Sequence, residues 1–102
     1  MYTKIIDIEV EPQTYYEIKF IVRADEPGPK TGYIGTYCGN KIVRLEEIVI
    51  HVHDFWSTMT RYIQADSANR IAIRLNDVDL LNARSSYLDT DGSWRLHTLT
   101  YP

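Results

Sequence analysis

A chain of 102 residues with 44% hydrophobic and 25% charged residues has the size and balance of one globular domain, which excludes disordered and fibrous architectures. Its formal net charge of −3 excludes a general polyanion binder, because neutralising phosphates takes clustered Lys and Arg, so nucleic acid is not an expected partner. The single cysteine, Cys38, excludes an internal disulfide or a cysteine metal cluster and is expected to act as a small buried hydrophobe.

Ile6, Ile8 and Val10 alternate with Asp7, Glu9 and Glu11, the pattern of a strand with one buried and one wet face. Pro12, Gln13 and Thr14 break the run. Tyr16, Ile18, Phe20, Val22 and Ala24 then alternate with Glu17, Lys19 and Arg23. A second strand is therefore expected to fold back on the first as a hairpin, with Asp7, Glu9, Glu17 and Lys19 sharing its outer surface. Residues 25–32 hold two prolines and two glycines and predict a long, mobile connection. A short strand over 33–37, a tight turn at Gly39 and Asn40, and a longer strand over Lys41–Val52 follow. In that strand Val43 and Leu45 fall on one parity, and Ile48, Ile50 and Val52 on the other. A bulge at Glu46 and Glu47 would let both sets face the core.

After Val52 the hydrophobic period changes. Phe55, Met59 and Ile63 are spaced four apart, and Asp54 stands where an N-cap carboxylate would accept a bond from a free first-turn N–H. A short helix over 54–64 is predicted, packed on a sheet through that stripe. Asp66, Ser67, Ala68 and Asn69 end it. Ile71, Ile73 and Leu75 alternate with Arg70, Ala72 and Arg74 as another strand, and Asn76 and Asp77 suggest a turn. Residues 78–84 are ambiguous between the two periods. Asp91 and Gly92 close a final hairpin between 86–89 and 94–100. These elements predict a single α+β domain over 1–102, mainly an antiparallel sheet of about five to seven strands carrying one short helix.

Chemistry-bearing residues are few. His51 and His53 share a face of a predicted strand, and His97 lies in the last one. Three imidazoles could hold Zn²⁺ with an open position. They could also act as acids and bases in a small hydrolase or metal-independent nuclease, with Arg44, Arg74 or Arg95 stabilising charge. Plain surface imidazoles explain the same positions. Asp89, Asp91, Gly92 and Ser93 resemble the opening of a calcium loop, but Thr100 stands where the bidentate glutamate belongs, and a hairpin turn accounts for them. Gly28, Gly32, Gly35 and Gly39 are too widely spaced for a dinucleotide fingerprint, and the serines at 57, 67, 85, 86 and 93 lack nucleophile-elbow glycines. No metal and no cofactor are expected.

Eight tyrosines and two tryptophans give the chain surplus rigid, amphipathic area of the kind that anchors interfaces. Tyr15, Tyr33, Tyr37, Trp56, Tyr62 and Trp94 are the anchor candidates, although strand packing alone would use the tyrosines and place Trp56 or Trp94 in the core. Carboxylates gather at Asp7, Glu9, Glu11, Glu17, Asp25 and Glu26, and again at Asp77, Asp79, Asp89 and Asp91. Grouped this way they speed encounter with a basic partner.

The leading expectation is a non-enzymatic inhibitor acting by protein–protein interaction, in the manner of toxin-immunity proteins (antitoxins) or phage-encoded inhibitors of host defence. Glu9, Glu11 and Glu17 would steer onto a basic nuclease or toxin, while Tyr15, Tyr16 and Tyr33 would fill a pocket on it. Two alternatives stand beside it: the hydrolase using His51, His53 and His97, and an oligomeric assembly subunit forming a homodimer through an open sheet edge. Apolar runs are short, and Lys4, Asp7 and Glu9 interrupt the beginning of the sequence. Neither a membrane span nor a secretory signal is predicted, and a cytoplasmic location is the default.

Overall fold

The computed structural model describes residues 3–52 and 56–97, and their regular structure is entirely β. The strands are β1 (Thr3–Glu9), β2 (Tyr15–Arg23), β3 (Gly28–Cys38), β4 (Lys41–Val52), β5 (Ser57–Gln64), β6 (Arg70–Asn76), β7 (Asp79–Leu88) and β8 (Trp94–His97). They form two four-stranded sheets, ordered β1-β6-β3-β4 and β5-β2-β7-β8, with every pairing antiparallel. β3–β4 and β7–β8 are hairpins; the other links cross from one sheet to the other.

The core is made by the alternating inner residues of both layers. Ile6 and Ile8 of β1, Ile71, Ile73 and Leu75 of β6 and Ile48, Ile50 and Val52 of β4 meet Tyr16, Ile18, Phe20 and Val22 of β2, all buried. Full burial of each large apolar side chain is worth about 1.5–3 kcal/mol, so this alternation supplies the main drive to fold. Gly32 shows how close the packing is. A Cβ there would strike the Arg74 carbonyl oxygen and crowd Ile48 and Leu75, so the residue must be glycine for β3 and β6 to pair at this spacing.

Each outermost strand carries a charged residue on its inward parity. Lys4 of β1 pairs with Leu75, Glu46 of β4 with Ile34, Arg61 of β5 with Ile18, and Arg95 of β8 with Tyr87. Arg61 is half-buried, and its guanidinium donates to the Thr60 carbonyl at 3.0 Å.

The helix over 54–64 is absent from the described residues: β5 occupies 57–64, while Asp54 and Phe55 lie outside them. The α+β class is accordingly replaced by an all-β one. Met59 and Ile63, four apart, satisfy the helical period and also the strand period of two. Arg61 between them hid the alternation, and Thr58, Thr60 and Tyr62 are residues that strands favour.

The first two strands do not form a hairpin. β1 pairs with β6 and β2 with β5 and β7, so Asp7 and Glu9 sit on one sheet and Glu17 and Lys19 on the other. Residues 28–32, expected in a loop, belong to β3. Pro29 pairs with His51 of β4 beyond the reach of β6, where the strand has one neighbour and a missing N–H is tolerated.

In β4 the register is unbroken past Glu46 and Glu47 and shifts instead between Thr36 and Tyr37, which leaves Val43 as the extra residue. Leu45 therefore stays on the outer face, 55% exposed. Cys38 is exposed rather than buried, and Trp56 and Trp94 are surface residues. The final hairpin forms as expected. β7 also takes in most of the indeterminate stretch, its alternation disguised by a bulge that makes Leu81 the extra residue.

Candidate functional site

On the outer face of the second sheet, residues opposite one another across the ladder project together. Tyr15 is paired with Gln64, and Glu17 with Tyr62 and Ser86; Leu88 is paired with Trp94, and Ser86 with Leu96. Three strands thus bring Tyr15, Tyr62 and Trp94 into a triangle. Ring centroids are 6.0 Å apart for Tyr15 and Tyr62, nearly parallel, and 6.2 Å from each to the Trp94 ring. Such spacing suits offset and tilted aromatic contacts. The rings are open to solvent, Tyr62 at 54% and Trp94 at 44%, and Leu96 beside them is 84% exposed.

The triangle is positioned by polar contacts at its border. The Tyr62 hydroxyl donates to Glu17 Oε2 at 2.9 Å, and Lys19 Nζ stands 3.7 Å from the other Glu17 oxygen. That carboxylate raises the Tyr62 pKa above its ordinary value, first through the hydrogen bond and then by charge repulsion of the phenolate.

At the adjoining end of the sandwich two links and the end of β3 are tied together. Val10 N–H donates to Asn69 O, Gln13 N–H to Asp66 O, and Asn69 N–H to Tyr37 O. Buried Tyr16 supports the first link, its hydroxyl accepting from Glu11 N–H at 2.8 Å. These links frame a groove lined by Asp7, Glu9, Glu11, Asn40, Leu96 and His97. At about 1500 Å³ it exceeds the roughly 300–1,000 Å³ of small-ligand sites. Leu96 borders both the groove and the triangle, making one surface with an apolar anchor and an acidic flank.

The sequence-derived candidates separate on this framework. Tyr15 and Glu17 belong to the triangle, and Glu9 and Glu11 to the groove. Tyr16 is 1% exposed and serves the core, while Tyr33 lies on the outer face of the first sheet. Leu88 and Leu96 were not among the candidates. Their parity was readable, but only the β7–β8 pairing shows that they flank Trp94.

The three imidazoles are not gathered. His97, with Nδ1 3.3 Å from Ser85 Oγ and its ring edge against Tyr16, faces the groove that includes Asn40. His51 lies on β4 roughly 35 Å along the strand from Asn40, at about 3.3 Å per residue, whereas acid–base partners must share a reacting group within about 3 Å. His53 lies outside the described residues. Arg44 and Arg74 are on the first sheet, and Arg95 is engaged by Asp89 and Asp91.

The calcium-like turn is stabilised internally. Gly92 N–H donates to Asp89 O, and Asp91 accepts from the Ser93 N–H and hydroxyl. Both carboxyls titrate below their ordinary range, Asp89 mainly through the Thr90 N–H and Asp91 through Ser93. Among the described residues no group of three His, Cys, Asp or Glu side chains could hold a metal ion, and no helix is long and apolar enough to cross a membrane.

No family model, curated protein or solved structure matches this chain. The chemistry of these surfaces is therefore the guide to function.

Proposed function

We propose that this protein is a non-enzymatic binding protein that docks on a basic partner protein, of the kind a nuclease or toxin presents, through the aromatic triangle and the acidic groove beside it. One observation carries the reading: three strands place Tyr15, Tyr62 and Trp94 within about 6 Å of one another on an exposed face. Exposed large aromatics in contact with each other gain little by staying in water, and interface anchors are drawn from such residues. Glu9 and Glu11 in the groove, where Asp7 is offset by Arg70, supply the negative field that accelerates encounter with a positive surface, while the aromatics govern how long the complex lasts.

The test is affinity capture with the immobilised chain, followed by kinetics on any basic protein retained. Trp94→Ala and Tyr62→Ala should each raise the dissociation constant by about 30-fold, the size of a hot-spot loss near 2 kcal/mol, mainly through faster dissociation. Glu9→Lys combined with Glu11→Lys should slow association and weaken its salt dependence. Undiminished retention by the Trp94 variant would remove the triangle from the interface, and turnover by the pure protein that His97→Ala abolishes would replace docking with catalysis.

A further inference from the structure

The outer face of the first sheet carries a second, smaller feature. The row Asp7, Ala72, Gly35, Leu45 puts two of the smallest side chains at the centre of the face. Ile5 and Tyr33 rise beside them and the Tyr37 ring lies across Gly35, leaving over Ala72 a depression of about 400 Å³, inside the roughly 300–1,000 Å³ range of small-molecule sites.

Its walls are held in place. The Tyr37 ring folds over Gly35, with its hydroxyl oxygen 2.6 Å from where a Cβ would stand, an arrangement only glycine permits. The Arg70 guanidinium caps the same ring 4.7 Å from its centroid and is itself held by Asp7 at 3.4 Å. Tyr33 is fixed by donating to Glu47 Oε2 at 3.2 Å. Groups locked before a ligand arrives lose less entropy on binding.

Arg74 is the single charged residue lining the depression, and among the described residues its guanidinium is in no ion pair. Of the neighbouring carboxylates, Asp7 is paired with Arg70, and Glu47, which accepts from the Tyr33 hydroxyl, stands across β3 from Arg74. A lone guanidinium in an otherwise apolar and aromatic setting selects for one negative charge on an apolar body. The planar fork matches a carboxylate in particular.

We propose that this depression binds a small apolar monocarboxylate, its carboxylate paired with Arg74 and its hydrocarbon or aryl body lying on Ala72 between Tyr33 and Tyr37. The site lies on the face opposite the aromatic triangle, with Asp7 and Arg70 standing between it and the acidic groove.

The experiment is an amide NMR titration of the whole chain with phenylacetate, and with phenylacetamide as its neutral isostere. Saturable shifts should centre on Gly35, Leu45 and Ala72, with a dissociation constant near 1 mM or tighter. The amide should bind at least about tenfold more weakly, as should Arg74→Gln binding phenylacetate. Ala72→Leu fills the floor and should abolish the shifts, while Arg84→Gln on the other sheet should bind as the parent does. Each variant changes an outward-facing side chain, and a parent-like spectrum verifies its fold. The proposal is overturned by an absence of saturable shifts up to about 10 mM phenylacetate, by equal binding of acid and amide, or by parent-like affinity in Ala72→Leu.

Discussion

On the outer face of the first sheet each tyrosine is held by a charged neighbour, Tyr33 by Glu47 and Tyr37 by Arg70, around a floor of small residues. On the second sheet Tyr15, Tyr62 and Trp94 lie against one another, with Tyr62 alone tied to a carboxylate. The first arrangement leaves a concavity with fixed walls and suits a ligand smaller than itself. The second is a solvent-exposed aromatic surface spread over three strands, and suits a partner that covers it. Side-chain type therefore says less about recognition than what stands beside it: a small neighbour makes a tyrosine a wall, and another aromatic makes it part of a platform.

The largest effect should come from beneath the first face. Gly32→Ala forces the new methyl against the Arg74 carbonyl, which cannot move without disturbing the β3–β6 ladder, so about 3 kcal/mol of stability should be lost. Urea unfolding should show a lower midpoint at an unchanged slope. In the folded fraction the displaced β3–β6 ladder should distort the depression, while the triangle's ring contacts, all on the other sheet, should persist.

Gly35→Ala should cost less, about 1 kcal/mol, because its obstacle is the end of a side chain that can rotate. Its signature is displacement of the Tyr37 ring, read as altered ring-proton shifts and as loss of phenylacetate binding. Parent-like Tyr37 shifts in this variant would show that the wall is not held as described.

The smallest effect is electrostatic and belongs to the second face. Tyr62 titrates above its ordinary 10.0 because Glu17 accepts its proton in a hydrogen bond, and Tyr16 does so mainly because its ring is buried. A raised folded pKa stabilises the fold fully below the unfolded value near 10. That contribution disappears as pH rises through the folded value. Glu17→Gln should lower the Tyr62 midpoint in a residue-resolved tyrosine titration and leave Tyr16 where it is. An unmoved Tyr62 would mean that the border contact is not formed in solution.

The sequence identified which residues turn inward in β1, β2, β6 and the second half of β4, because a period of two with strong apolar contrast is a local property. Pairing partners are not local. β1 and β2 present matching apolar faces, which suit both a hairpin and two layers facing across a core, and only β6 and β5 completing the sheets decide between them. The strand β5 was misread because an arginine interrupts its inner parity, and β7 was indeterminate because a bulge at Leu81 and the small inner residues Ala83 and Ser85 erase the contrast. Tyr15 and Glu17 were recognisable as surface residues from their parity. Their union with Trp94 depends on three strands meeting and was beyond any reading along the chain.

The four border strands end the ladders with Lys4, Glu46, Arg61 and Arg95 turned toward the interior side. Another copy adding at β1, β4 or β5 would have to desolvate such a charge without supplying its counterpart, and one adding at β8 would have to bury the Arg95 pairs with Asp89 and Asp91, so lateral growth into a fibre is opposed at each border. That protection is thinnest at β5, where Arg61→Ile would join Met59 to Ile63 in one unbroken apolar row. Thioflavin-monitored incubation of that variant should show fibre formation at concentrations where the parent gives none. A single codon change would then separate a dispersed molecule from one that templates its own aggregation.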